Sequence, residues 1–325
     1  ADLADLVVQA LLSDPRRVKA MAAGVPGETA MARAYAAIAD GALAARSLID
    51  AHQKARLGDL DSVIAGACMT LLALQLPDGH YKFPDLRGKH LVLSETLEKT
   101  VRGDVEAIRV GWFVAPVPDG QAELDAADCG IALLRAGAVF KNRDWTAAGL
   151  RAVAWAKERG PSPTWRANAA TISLLVQAFR ATSDRQHLTD AWQRFTVGLA
   201  PGQAADGRWI DPHDARPANH FLILRALLDL EEALPIGKDR DAVSLGAMRA
   251  VGALETEIVK LGVPNTAHTV QELSRYVRLH PESGAKVRDW SEIAAAARRT
   301  CSGGRWPRLA APLPELAAVG NVWTK

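Results

Sequence analysis

The sequence predicts an all-α protein: repeated helical hairpins that close into an α/α toroid as one domain spanning residues 1–325. Three observations predict it. Apolar residues recur at helical spacing along almost the whole chain, and clean two-residue alternation is scarce. Short links such as Phe140-Lys141-Asn142-Arg143 and Thr182-Ser183-Asp184 join helices in pairs, the pattern of antiparallel hairpins. Turn chemistry recurs at Asp78-Gly79, Asp119-Gly120, Gly160-Pro161, Asp206-Gly207, Pro264-Asn265 and Gly303-Gly304, with spacings of 41, 41, 46, 58 and 39 residues. That period suits two helices plus their loops, and so an internal repeat.

The helices are expected at about 2–12, 28–52, 59–75, 93–110, 123–140, 143–158, 167–182, 184–199, 217–234, 238–261, 267–279 and 289–301. Asp59 and Asp184 stand where N-caps are needed. Pro217 suits a first helical turn, where its missing N–H costs nothing. Gly160-Pro161 and Gly262-Val263-Pro264 are stop signals. Helix 217–234 has the character of an inner helix: Phe221, Leu222, Ile223, Leu224, Leu227, Leu228, Leu230 and Leu234 leave only a narrow polar strip. Helix 143–158, with Arg143, Arg151, Lys157 and Glu158, looks like an outer one.

Two helices lie between successive turns at 119, 160, 206, 264 and 303, so these loops are expected on one rim, at the N-termini of the inner helices. Between 78 and 119 only one helix is evident, beside the loop His80–Leu91. Either a further short helix lies there or Asp78 sits on the opposite rim, and the sequence leaves both open.

Composition narrows the class. Hydrophobic residues make up 49% and charged residues 23%, an ordinary globular balance. Net charge is +2, with no basic run of the kind that tracks nucleic acid, so no nucleic-acid partner is expected. The longest apolar stretch, Val63 to Leu76, is too short for a membrane span. Cys68, Cys129 and Cys301 are far apart, form no metal spacing, and read as buried or isolated thiols. The chain opens at Ala1 without a signal-peptide pattern. That fits a mature exported chain, periplasmic or secreted, or a trimmed one; a cytoplasmic location is the alternative.

Residues 203–209, Gln-Ala-Ala-Asp-Gly-Arg-Trp, match the Q-x-x-D-G-x-W loop of terpenoid-cyclase-like α/α toroids. Gln75-Leu-Pro-Asp-Gly-His-Tyr81 is a near match with Tyr for Trp, and Cys301-Ser-Gly-Gly-Arg-Trp306 is a remnant. The chain also resembles toroidal polysaccharide lyases and hairpin-barrel glycosidases in its helix rhythm. The resemblance covers roughly residues 59–306, and its motifs define a structural loop rather than a chemistry.

Four clusters could carry chemistry. After Asp206 come Arg208, Trp209, Asp211, His213, Asp214, Arg216, Asn219 and His220. His213 or His220 would serve as general base, Asp211 and Asp214 as acids, and Arg208 and Arg216, with Trp209 and Asn219, would bind an anionic ligand. The plain structural account is a turn, a cap and a packed Trp. His220 stands out because a polar group at the start of a buried helix needs a partner. Asp125 and Asp128 share one helix face near a helix start, where capping accounts for one of them. Trp165, Arg166 and Asn168 begin another inner helix, where Trp suits sugar stacking and Arg suits carboxylates. The loop with His80, Tyr81, Lys82, Asp85, Arg87 and His90 could bind ligand or serve as an insertion anchored by Tyr81 and Phe83. His268 beside Asn265 is a further rim position.

These residues point first to a carbohydrate-active protein on an acidic glycan, a polysaccharide lyase or glycoside hydrolase. A lyase needs a base and neutralisation of the uronate; a hydrolase needs two carboxylates about 5–10 Å apart. The alternative is a non-catalytic helical-repeat binding or scaffold protein. An isoprenoid-type cyclase ranks third, because no D-x-D-D motif is present and aromatic content is 6%. No Walker, Rossmann, H-E-x-x-H or G-x-S-x-G motif is found, and a D-x-H-D cluster alone does not specify a metal. Cofactor and oligomeric state are not specified by the sequence.

Overall fold

A computed structural model describes residues 61–81, 120–210, 220–257 and 272–286. The chain divides into two compact units, Ala1–Gly41 with Tyr81–Pro118, and Ala42–His80 with Asp119–Lys325. Apart from Tyr81, every described residue belongs to the second unit. The expected helices at 2–12, 28–52, 93–110 and 289–301 lie outside the described residues.

The described part of the second unit is all-α. Its described elements are α1 Asp61–Leu74, α2 Gln121–Phe140, α3 Arg143–Glu158, α4 Trp165–Thr182, α5 Arg185–Gly198, α6 His220–Ala233, α7 Lys238–Glu257 and a helical segment, α8, at 272–279. Among the described residues there is no strand, only an isolated bridge between Gln203 and Trp209. Local chemistry sets the ends. The Asn142 side chain caps α3, accepting from the N–H groups of Asp144 (3.0 Å) and Trp145 (3.2 Å). Asp184 caps α5 by accepting from Gln186 N–H at 2.9 Å, as its position in the sequence suggests. Lys141 and Ser183 take the left-handed conformation, which turns the chain within each hairpin link.

Packing sorts the helices into two layers. Helix α2 lies against α4, and α4 against α6. Helix α3 sits on α2 and α4, α5 sits on α4 and α6, and α7 packs on α6. So α2, α4 and α6 form an inner row, and α3, α5 and α7 cover it from outside. The buried residues follow this division. Helix α4 buries Ala167 to Val176 without an exposed position, as an inner helix must. Helix α3 buries one stripe, from Trp145 to Ala156. Cys68 and Cys129 are buried free thiols. Burial pushes the Cys68 thiol up to about 12. The Cys129 thiol is pushed up by burial and by the neighbouring Asp125 and Asp128.

The two Q-x-x-D-G loops are the same object built twice. Gln203 N–H donates to Ala200 O (3.2 Å), Gly207 N–H to Ala204 O (2.9 Å), and Ala204 N–H to Arg208 O (2.8 Å). In the other loop Gln75 N–H donates to Leu72 O (3.4 Å), Gly79 N–H to Leu76 O (2.9 Å), and Leu76 N–H to His80 O (2.9 Å). The Gln203 amide donates to Gly207 O (3.2 Å) and to Gly246 O of α7 (2.9 Å). The Gln75 amide donates to Gly79 O (2.9 Å) and to Ala148 O of α3 (2.8 Å). Three residues further along each outer helix, a glycine meets backbone. A Cβ on Gly207 would overlap the Arg249 carbonyl, and one on Gly79 the Arg151 carbonyl. Both glycines have positive φ, +86° and +103°, so an L side chain is refused twice over.

This equivalence answers the question of parity. Each loop grips the outer helix of the hairpin that follows it through the same set of bonds, so Asp78 and Asp206 occupy the same position in the repeat. The break in period comes from chain length. Only a dozen residues separate Gly207 from α6, whereas 81–118, between Gly79 and α2, belong to the other compact unit. Asp119-Gly120 is a different feature: Gly120, at φ 76°, is the N-cap position of α2 itself.

Replacing Gln75 or Gln203 with Ala should cost about 1–2 kcal/mol, since each change orphans partly buried carbonyls. Gly79→Ala and Gly207→Ala should each cost more, about 2–4 kcal/mol, through strain and overlap together. Urea denaturation checks both, and the two loops should respond alike.

Candidate functional site

The starts of α2 and α4 and the loop leading towards α6 lie together at one end of the inner row, the rim, and side chains join them. A Cβ on Gly120 would overlap the Thr164 hydroxyl and crowd Ala167, which places the start of α2 against the start of α4. Trp165, half-buried, reaches the next loop: its Nε1 donates to Ile210 O at 3.0 Å. Its ring lies so close to Gly202 that a Cβ there would meet it at 2.6 Å. The rim therefore runs continuously from Gly120 through Thr164 and Trp165 to Ile210.

Asn168 and Arg194 stabilise that rim from below. Asn168 is fully buried; it accepts from Ser162 N–H (2.8 Å) and donates to Ser162 O (2.8 Å) and Gly198 O (2.7 Å). The Arg194 guanidinium donates to Ala156 O (2.9 Å), to Asn168 Oδ1 (3.3 Å) and to Gly160 O. Asn168 thus ties the α3–α4 loop to the end of α5, a structural duty that accounts for its position.

The predicted residues fall into three groups. Asp125 is buried and Asp128 half-buried on the first turns of α2, and Arg166 is half-buried at the start of α4. With Trp165 they share the rim. The second group serves the clamp loops. Trp209 is buried and donates from Nε1 to Leu199 O at 2.8 Å. Arg208 turns back to pair with Asp206 at 2.5 Å and, with its own backbone N–H, holds the Asp206 carboxyl below the usual range. His80 does the equivalent with Asp78 at 2.6 Å and stacks on Trp155 with centroids 5.1 Å apart. Tyr81 is buried and belongs to the other compact unit. The third group lies outside the described residues: Asp211, His213, Asp214, Arg216, Asn219, Lys82, Asp85, Arg87, His90, Asn265 and His268. His220 is the first residue of α6.

Deeper along the inner row lies an ion network that sequence reasoning did not single out. Arg225 and Glu272, both buried, pair at 2.6 Å. Arg275 bonds Asp229 (2.8 Å) and Glu232 (2.7 Å), and Arg180 of α4 bonds Glu232 (2.9 Å). His280 Nε2 lies 2.8 Å from Glu231. Burial opposes ionisation of Asp229, but Arg275, Arg180 and a Ser173 hydrogen bond overcome it and hold its carboxyl low. Burial likewise opposes the Arg225 and Arg275 charges. Glu272 chiefly raises the first, with Asp229 and Asp128 adding, and Asp229 with Glu232 raises the second. Asp128 is therefore close enough to feel Arg225, which links the rim carboxylates to the network. A signal was present: Arg225, Asp229 and Glu232 form the polar strip of helix 217–234, at positions i, i+4 and i+7.

Among the described residues no three His, Cys, Asp or Glu side chains gather as a metal site. None of the described helices is long and apolar enough to cross a membrane. No family model matches the chain, and no curated protein is significantly similar to it.

Asp229→Asn would leave Arg275 and Arg180 short of a counter-charge and should cost about 3 kcal/mol at pH 7. Because the folded carboxyl is held low, this contribution is complete above the unfolded value near 3.9 and fades as pH falls through the folded one. The stability gap between wild type and variant, measured by urea titration at pH 7 and pH 3, should shrink on acidification.

Proposed function

We propose that the chain is a carbohydrate-active protein, built as a closed or nearly closed α/α toroid, that binds or acts on an acidic polysaccharide or oligosaccharide at the inner-helix rim. One observation chiefly supports this reading. The starts of α2 and α4 and the loop leading towards α6 adjoin, with Trp165, Arg166, Asp125 and Asp128 at that end. A half-buried Trp offers a face to a sugar ring, and Arg with inner-helix N-termini favours its carboxylate. Asp125 and Asp128 lie about 6 and 11 Å down α2 from its first residue at 1.5 Å per residue. There they would act as acid or base, with His220, His213, Asp211 and Asp214 as their proposed partners. Arg216 and Asn219 complete the proposed binding set. Export to the periplasm or medium suits such a substrate.

A second reading, a non-catalytic helical-repeat scaffold, draws on the ion network. Arg180, Arg225 and Arg275 are answered by Asp229, Glu232 and Glu272, so this stretch of the inner row is electrostatically self-contained. Ion pairs on that face give the isoprenoid-cyclase reading no support.

A panel of uronic-acid polymers and neutral glycans separates the readings. Turnover, or saturable binding that Trp165→Ala weakens by about tenfold, is expected with at least one acidic glycan. Binding unaffected by Trp165→Ala would move the site away from this rim. No turnover, no binding and an unshifted melting temperature with every glycan would leave the scaffold reading alone.

A further inference from the structure

A cleft of about 280 Å³ lies between the ends of α3 and α5, lined by Lys157, Gly160, Leu175, Asp190, Arg194 and Val197. Its unusual member is Arg194. The side chain is 6% exposed, and its three hydrogen bonds among the described residues all go to neutral oxygens. Arg225 and Arg275, also largely enclosed, are each bonded directly to carboxylates. Burying a cation without a counter-ion is costly. Arg194 shows that cost: burial lowers its pKa, and only Glu123, acting through space, opposes the shift.

Closing the C-terminal end of α3 explains where the guanidinium sits, since the Ala156 and Gly160 carbonyls belong there. It does not explain an open cleft beside the guanidinium. A guanidinium has five N–H donors, so two remain beyond the three bonds made within the protein. The rest of the lining does not cancel its charge. Asp190 is taken by Lys157 at 2.5 Å and by the Gln186 amide at 2.8 Å. With two cations and one committed carboxylate, the lining carries a net positive charge that only Glu123, outside the cleft, offsets through space.

We propose that this cleft is a binding site for a small oxyanion, a phosphate, sulfate or carboxylate group, received by the Arg194 guanidinium with Lys157 at its edge. Its volume suits one anionic group on a small body rather than a polymer. The site lies between outer helices and does not depend on the glycan reading of the rim.

The experiment titrates the full chain with inorganic phosphate, sulfate and glucuronate at constant ionic strength against chloride, following melting temperature and calorimetric binding. Wild type should show a saturable rise in melting temperature with at least one of the three; which one responds tells phosphate or sulfate from a sugar carboxylate. Arg194→Gln tests the cation but risks the fold, because Arg194 also holds Ala156 and Gly160. Val197→Trp serves instead. Val197 is 61% exposed, so the change should fill the cleft mouth while leaving the melting temperature in chloride unchanged. It should weaken anion binding by about tenfold or more, and Lys157→Gln by a smaller factor. A wild type that responds to none of the anions beyond chloride, or a Val197→Trp variant that responds as wild type does, would overturn the proposal.

Discussion

The structure of the second unit depends on one close contact made twice: a glutamine amide and a glycine backbone pressed against the outer helix of the next hairpin. Gln75 and Gly79 grip α3, and Gln203 and Gly207 grip α7. The grip is short-range and stereospecific. It needs an amide that reaches a helical carbonyl and a residue with no Cβ in the left-handed region. Once made, it fixes the loop against the outer helix of the next hairpin. The Gln203 loop also ends at Ile210, whose carbonyl Trp165 meets at the start of α4, so this clamp adjoins the candidate site.

Two ways of keeping a buried arginine follow from the packing. On α6 and α8, Arg225 and Arg275 arrive with their own carboxylates, and the helices α4, α6 and α8 are joined by the pairing. Between the layers, Arg194 is surrounded by carbonyls and an amide oxygen. The first arrangement orients helices against one another and asks nothing of a ligand. The second fastens a helix end and a loop while leaving its charge without a directly bonded carboxylate. The same residue type therefore marks a structural weld in one place and a receptive cleft in the other.

Much of this was legible in the sequence. The hairpin links, the Asp184 cap and the inner character of helix 217–234 follow from local rules, and the matched Q-x-x-D-G loops announced the repeat. The position of Asp78 could not be read, because the 81–118 segment breaks the period without altering the motif on either side. The pairing of Arg225 with Glu272 joins residues 47 apart, and helical spacing reveals the strip on α6 without revealing what faces it. Trp209 illustrates the opposite error of emphasis. A Trp beside Asp, His and Arg looks like a ligand contact, yet its ring is buried and its N–H is spent on Leu199. Asn168 likewise became intelligible only when Ser162 and Gly198 were seen beside it.

If the two clamp loops are one device, either can stand in for the other, and a graft tests this directly. Gln203–Arg208 would be transplanted in place of Gln75–His80, and the stability of the chimera measured by urea denaturation. If the loops are one device, the graft should fold cooperatively and lose no more than about 1 kcal/mol, the share owed to the His80 stack on Trp155. Loss of cooperative unfolding, or a deficit above about 3 kcal/mol, would contradict the account.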